Sequence, residues 1–155
     1  MYQLAGEYDC KIDAKGRLKL PSGLLKQLGD MSLNFTINRG FETHLMLYPE
    51  SEWLKKTKEI DQKLNIYKTK DREVLRYFYR GATKVVSDSS ERILIPKGLM
   101  QFAGLEKEVV LFAYQKQVEI WAKNRYEAII SEEPIEFADI ADRIFSDEDE
   151  VKRDE

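Results

Sequence analysis

Two stretches decide how this chain folds: DAKGRLKLP, from Asp13 to Pro21, and DSSERILIP, from Asp88 to Pro96. They carry Asp, Arg and Pro at the same spacing, 75 residues apart, and the match extends outward from both. At that shift Gly6 falls on Gly81, Gly23 on Gly98, Leu24 on Leu99 and Gly29 on Gly104. Further along, the shift becomes 73: Leu47-Tyr48 answers Ile120-Trp121, and Trp53 answers Tyr126. Self-similarity at a fixed period is the signature of a duplicated architecture.

Each copy reads as strand, turn, strand, short helix and further strand. Gly6 to Ile12 alternates as a strand, and Asp13-Ala14-Lys15-Gly16 is turn chemistry, with Gly16 free to take a positive φ. Leu18 to Leu20 and Ile93 to Ile95 are short strands stopped by Pro21 and Pro96. Each proline then opens a helix, with Leu24, Leu25 and Leu28, or Leu99, Met100 and Phe102, as its apolar stripe; Gly29 and Gly104 end them. Thr43 to Tyr48, Val109 to Tyr114 and Gln117 to Trp121 are further strands. Between the copies, Glu50–Leu64 and Lys70–Tyr79 have helical spacing and predict two helices joined by Asn65 to Thr69. A last short helix is expected from Arg125 to Ile130. Beyond it Phe137, Ile140, Ala141 and Ile144 form a weak helical stripe that fades into a charged end, Ser146 to Glu155.

Half a chain with this few strands cannot bury both faces of a sheet, so the two copies are expected to interdigitate. The predicted fold is α+β, mainly β: a pseudo-two-fold β-barrel from two internal repeats, with a helical insert and a C-terminal helix. The expected boundaries are a duplicated domain over 1–130 (repeat one 6–53, insert 50–80, repeat two 81–130) and an acidic tail over 131–155.

Composition narrows the function. With 155 residues, 43% apolar and 34% charged, the chain has a soluble, globular balance. It has no apolar run near the roughly 18 residues of a membrane span, and its first residues lack a signal-peptide apolar segment. Its one cysteine, Cys10, cannot form an internal disulfide, so a cytoplasmic location is expected. The net charge of −3 hides a gradient. Residues 131–155 hold eleven acids and three bases, a net of −8, which leaves residues 1–130 at +5. Nucleic acid therefore stays open as a partner.

The two Asp-x-x-x-Arg elements, Asp13/Arg17 and Asp88/Arg92, admit two readings. In one, Asp organises the turn and Arg reaches back to it, an internal bridge with no ligand. In the other, Lys11, Lys15, Arg17 and Lys19 form a cationic comb suited to phosphate or groove contact. The second loop, Ser89-Ser90-Glu91, lacks that charge, so the first is the stronger candidate and the internal bridge fits the second. Enzyme signals are weak. The sole histidine, His44, lies in a strand run without cysteine or histidine partners in sequence, and no Gly-rich phosphate loop is present. No cofactor or metal is expected. Glu132/Glu133 reads as a solvated carboxylate pair. Trp53, Tyr67, Tyr77, Phe78, Tyr79 and Trp121 read as core and subunit interface rather than base-stacking residues. Lys55, Lys56, Lys58, Lys63 and Lys68 read as a solubilising face.

The duplicated Asp-x-x-x-Arg with trailing LKLP or ILIP resembles the MraZ family, a duplicated form of the AbrB-like swapped-hairpin barrel. GEYDCKIDAKGRLKLP, LYPESEW, KDREVLRYFYRGA, DSSERILIP, FAGLEKEVVLFA and EIWAKNRYEA carry the resemblance, up to about Ile130. It implies a nucleoid-associated, DNA-binding transcriptional regulator of the bacterial division and cell-wall gene cluster. It also implies a ring-shaped homo-oligomer on tandem promoter repeats. By position, the DNA-contacting loop falls on Lys15 and Arg17, with Asp13 organising the turn. Lys11 and Lys19 join by charge alone, and Arg92 and Asp88 occupy the second motif. The competing readings are an antitoxin-like or other protein-binding barrel, and an enzyme on a double-psi barrel.

Overall fold

The computed structural model describes residues 3–131 and 136–153, in two compact units, Met1–Lys123 and Asn124–Glu155. The chain runs β1 (Leu4–Lys11), β2 (Arg17–Lys19), α1 (Ser22–Leu28), β3 (Asn34–Arg39), β4 (Leu45–Pro49), α2 (Glu50–Lys63) and α3 (Thr69–Tyr79). It continues β5 (Thr83–Val86), β6 (Arg92–Leu94), α4 (Lys97–Ala103), β7 (Glu108–Gln115), β8 (Gln117–Ala122), α5 (Lys123–Ile130) and α6 (Phe137–Arg153). The class is α+β, with the strands in an antiparallel sheet. Each short helix starts one residue after its proline, and the Pro21 and Pro96 carbonyls accept from the first-turn amides.

The six-stranded sheet has the order β1-β7-β8-β4-β3-β5, and β2 pairs with β6 as a separate two-stranded ribbon. The first strand of each copy lies on the other copy's hairpin. β1 pairs with β7 from Leu4↔Gln115 to Lys11↔Glu108, and β5 pairs with β3 from Asn34↔Val86 to Ile37↔Thr83. In the ribbon Leu18 faces Ile93, and where β4 meets β8, Met46 faces Glu119. Both are pairs of repeat-equivalent residues, so a pseudo-two-fold axis passes through them. The sheet does not close into the expected barrel: β1 and β5 are its edges, and no ladder joins them among the described residues. At each edge the Asp-x-x-x-Arg turn peels the chain away into the ribbon, leaving one bridge, Ile12↔Leu18, between β1 and the start of β2.

Ribbon and sheet share one core, in which Leu18, Leu20, Ile93 and Ile95 pack with Leu45, Leu47, Leu111 and Ile120. Full burial of such a side chain contributes roughly 1.5–3 kcal/mol. β4 is buried on both faces. Its other side, Met46 and Tyr48, packs with Trp53 of α2, backed by Phe78 and Tyr79. The Trp53 ring lies 5.4 Å from Tyr48, 5.9 Å from Phe78 and 5.8 Å from Tyr79, centre to centre. The helical insert therefore covers the back of β4.

Three expectations need correction. Tyr67 and Tyr77 are not core; they stay 86% and 66% exposed, Tyr67 in the α2–α3 connection and Tyr77 on α3. The charged end of the chain does not fade at Ser146: α6 continues to Arg153. Asp139 in its first turn has the charge that the N-terminal end of a helix dipole favours. Glu132 and Glu133 lie outside the described residues, as do Asp154 and Glu155.

Candidate nucleic-acid interface

The geometry begins at Asp13. Its Oδ1 accepts from the backbone N–H of Lys15 (3.0 Å) and of Arg17 (2.9 Å), and its Oδ2 accepts from Arg17 Nε (2.8 Å). The Arg17 N–H, ahead of its guanidinium and the Lys15 N–H, holds the Asp13 carboxyl below the usual carboxylate range. One oxygen thus shapes the turn while the other aims an arginine. Because the clamp uses Nε, the two Nη groups of Arg17 make no hydrogen bond among the described residues. Asp88 repeats the arrangement, accepting from the N–H of Ser90 (2.8 Å) and Arg92 (3.0 Å) and from Arg92 Nε (3.0 Å). Its carboxyl is lowered for the same reason, the Arg92 N–H first. Arg92 differs in one respect: its Nη1 also lies 4.0 Å from Asp13 Oδ2, so it stands between two carboxylates.

The ribbon follows from alternation. Leu18 and Ile93 point into the core, so Arg17, Lys19, Arg92 and Leu94 occupy the opposite face. Arg17 stands across from Leu94 and Lys19 across from Arg92. Leu94 is 58% exposed, an apolar point among three cations. Lys15 stands in the turn before this ribbon. Lys11 is not on it: it ends β1, opposite Glu108 of β7. A hollow of about 430 Å³ between the first turn and α4 brings Lys97 beside Lys15. Sequence reasoning passed over Lys97 and Leu94; their signal is the place where the copies differ, Lys97 standing at Ser22 and Leu94 at Lys19.

Other singled-out residues lie elsewhere. His44 is buried, its ring 4.4 Å from that of Trp121 and its Nε2 3.8 Å from Glu119 Oε2. Burial lowers its pKa, against the opposing charges of Glu119 and Glu42. Gly40 packs so closely on this ring that a Cβ there would collide with it. Burial, helped by Asp9, pushes the half-buried Cys10 thiol up to about 11, so it is protonated at neutral pH. Lys55 and Lys63 pair with Glu52 and Glu59 along α2. No helix among the described residues is long and apolar enough to cross a membrane.

Fold and site together define a class: a duplicated, β-rich chain with one exposed cationic ribbon on its internal two-fold axis. A family model described as "MraZ protein, putative antitoxin-like" matches the chain twice, over residues 3–77 and 78–148. The two matches begin 75 residues apart, at the shift that relates the copies. The chain is 43% identical over 151 residues to a protein of Christiangramia forsetii named transcriptional regulator MraZ, covering 96% of this chain and 97% of that one. It is 38% identical to one of the same name from Flavobacterium psychrophilum (93% and 92% covered). With that of Ligilactobacillus salivarius it shares 40% identity (90% and 94% covered). The chain belongs to the MraZ family, and these relatives carry transcriptional regulation in their name.

Proposed function

We propose that this protein is a sequence-specific, DNA-binding transcriptional regulator, acting in the cytoplasm on the nucleoid and without enzymatic chemistry of its own. In this reading it controls the division and cell-wall gene cluster through tandem promoter repeats. The observation that carries it is Arg17, held at Nε by Asp13 while its Nη edge is unengaged on an exposed two-stranded ribbon. The major groove of B-DNA admits such a ribbon, and an arginine presenting two donors pairs with guanine O6 and N7 for about 1–3 kcal/mol. Lys15, Lys19 and Lys11 supply phosphate contacts that fix register. Arg92, shared between Asp88 and Asp13, acts mainly in holding the ribbon and secondarily on DNA.

One ribbon neutralises few phosphates, so a single subunit binds weakly. A ring of subunits offering ribbons near one helical turn apart, about 34 Å, gains by avidity. The duplicated domain over 1–130 is then a swapped-hairpin fold in the sense of its exchanged strands, and residues 131–155 are a separate acidic tail.

The experiment is a salt titration of binding to DNA carrying short tandem repeats, wild type beside Arg17→Ala. Affinity should fall steeply with salt, require several repeats and drop about tenfold or more in a folded mutant. Weak binding indifferent to repeat number and to Arg17 would reject the reading and favour a protein-binding barrel.

A further inference from the structure

The helical insert leaves an apolar groove open. It lies between α2 and α3 beside the Gly40-Phe41 turn, has a volume of about 500 Å³, and is walled by Phe41, Ile60, Leu64, Val74, Tyr77 and Phe78. Phe41, Val74 and Tyr77 are largely exposed, and monomers seldom leave such a contiguous apolar patch uncovered. The rim carries Arg39, Lys56 and Lys63 with Glu59 and Glu73. Over residues 50–80 the sequence holds nine bases and six acids.

The other unit presents the complement. On α6, Phe137, Ile140 and Ile144 fall at helical spacing on one face with Phe145 beside them, and all four are exposed. Asp139 and Asp142 lie on the opposite side of the helix from that stripe, and residues 137–153 hold six acids against three bases. An amphipathic helix laid in a groove through residues three and four apart is a recurrent mode of association. Here residues 50–80, which build two walls of the groove, carry a net charge of +3 and residues 137–153 a net of −3; on the rim itself Lys63 pairs with Glu59, leaving Arg39 and Lys56 against Glu73.

We propose that the groove between α2 and α3 receives the apolar face of α6 from a second copy of this chain. The inference rests on the ring reading above and gives it a mechanism. Groove and helix are different surfaces of one chain, so their contact is head-to-tail and propagates from subunit to subunit until it closes. It also assigns the acidic tail a purpose: its stripe links subunits, and its net charge is opposite to that of the 50–80 segment.

The test mixes two full-length variants. One carries Val74→Glu and Tyr77→Glu in the groove; the other carries Ile140→Glu and Ile144→Glu on the helix. All four sites are exposed, so circular dichroism should show both variants folded. By analytical ultracentrifugation, wild type should be a multi-subunit species and each variant alone a monomer of 18.2 kDa. A one-to-one mixture should give a species of twice that mass, because it contains one intact groove and one intact helix that fit each other. A wild-type oligomer with either variant unchanged in mass overturns this inference and leaves the ring reading standing. Two monomeric variants that stay monomeric when mixed also overturn it, placing the helix on its own chain or on another protein. A wild type that is monomeric at every concentration rejects the ring reading itself.

Discussion

At Gly16 the first Asp-x-x-x-Arg turn bends through a left-handed residue with no side chain, φ 85°; at Glu91 the second turn makes the same bend with a full glutamate, φ 63°. Each bend aims a carbonyl across the axis: Ile95 donates to Gly16 (2.9 Å) and Leu20 donates to Glu91 (3.0 Å). Skeleton and clamp are therefore common to both turns. What differs is the outer surface, where Ala14, Lys15 and Lys19 of the first copy are answered by Ser89, Ser90 and Leu94 of the second. Symmetry fixes the backbone through its cross-copy hydrogen bonds and leaves the exposed side chains unconstrained. One turn can then specialise in contact while its twin keeps the structure.

The comparison is tested most severely at its symmetric centre. Leu18→Ala and Ile93→Ala should each cost about 2–5 kcal/mol in urea unfolding, and by similar amounts, since both are fully buried on the axis. A large inequality would show that the copies differ in the core as well as on the surface. Next comes binding. Arg17→Ala should lose about 1–3 kcal/mol per guanine contact in fluorescence anisotropy, and Arg92→Ala distinctly less; equal losses would erase the asymmetry. Gly16→Ala should destabilise by about 1–2 kcal/mol, because a side chain must then adopt a left-handed backbone. Glu91→Gly should relieve the corresponding strain, with a net gain of at most about 1 kcal/mol after the entropy of glycine. Lys15→Ala should reduce the slope of log affinity against log salt by roughly 1 and leave sequence preference intact.

The smallest effect is on pH. The folded pKa values of Asp13 and Asp88 are lowered, so the stabilisation from each clamp is complete above the unfolded value, about 3.9, and is lost as pH falls through the folded one. Melting temperature measured from neutral to acid pH should therefore fall less steeply below about pH 4 in Asp13→Asn and Asp88→Asn than in wild type. Wild-type slopes in both variants would mean that the clamps add nothing to stability.

The duplication was legible because Asp, Arg, Pro and Gly recur at one spacing, and those residues dictate turns and helix ends locally. Gly16 announced its own bend. Glu91 did not, since nothing in a glutamate prefers a left-handed backbone; only its place opposite Leu20 demands it. The choice of β7 as partner for β1 is written in no local pattern, for an alternating strand alternates alike whatever it pairs with. The ribbon face depended on that same long-range register, which is how Leu94 went unnoticed and why the sequence could not place Lys11 on β1 beside the ribbon rather than on it. For Tyr67 and Tyr77, helical or loop spacing marks an apolar side without saying whether core or a subunit interface covers it, and their exposure excludes only the core.

The exchange of first strands also sets when the molecule can form. β1 has been translated by Lys11, but its partner β7 starts only at Glu108. A nascent chain must hold that strand unpaired while nearly a hundred further residues emerge, and closing so long a loop slows folding. A product terminated after the first repeat has β1 without its ladder and β3 without β5. Premature termination therefore gives a chain that cannot complete the sheet and is open to degradation. The cell receives an intact sheet only from a message read through β8, at Ala122.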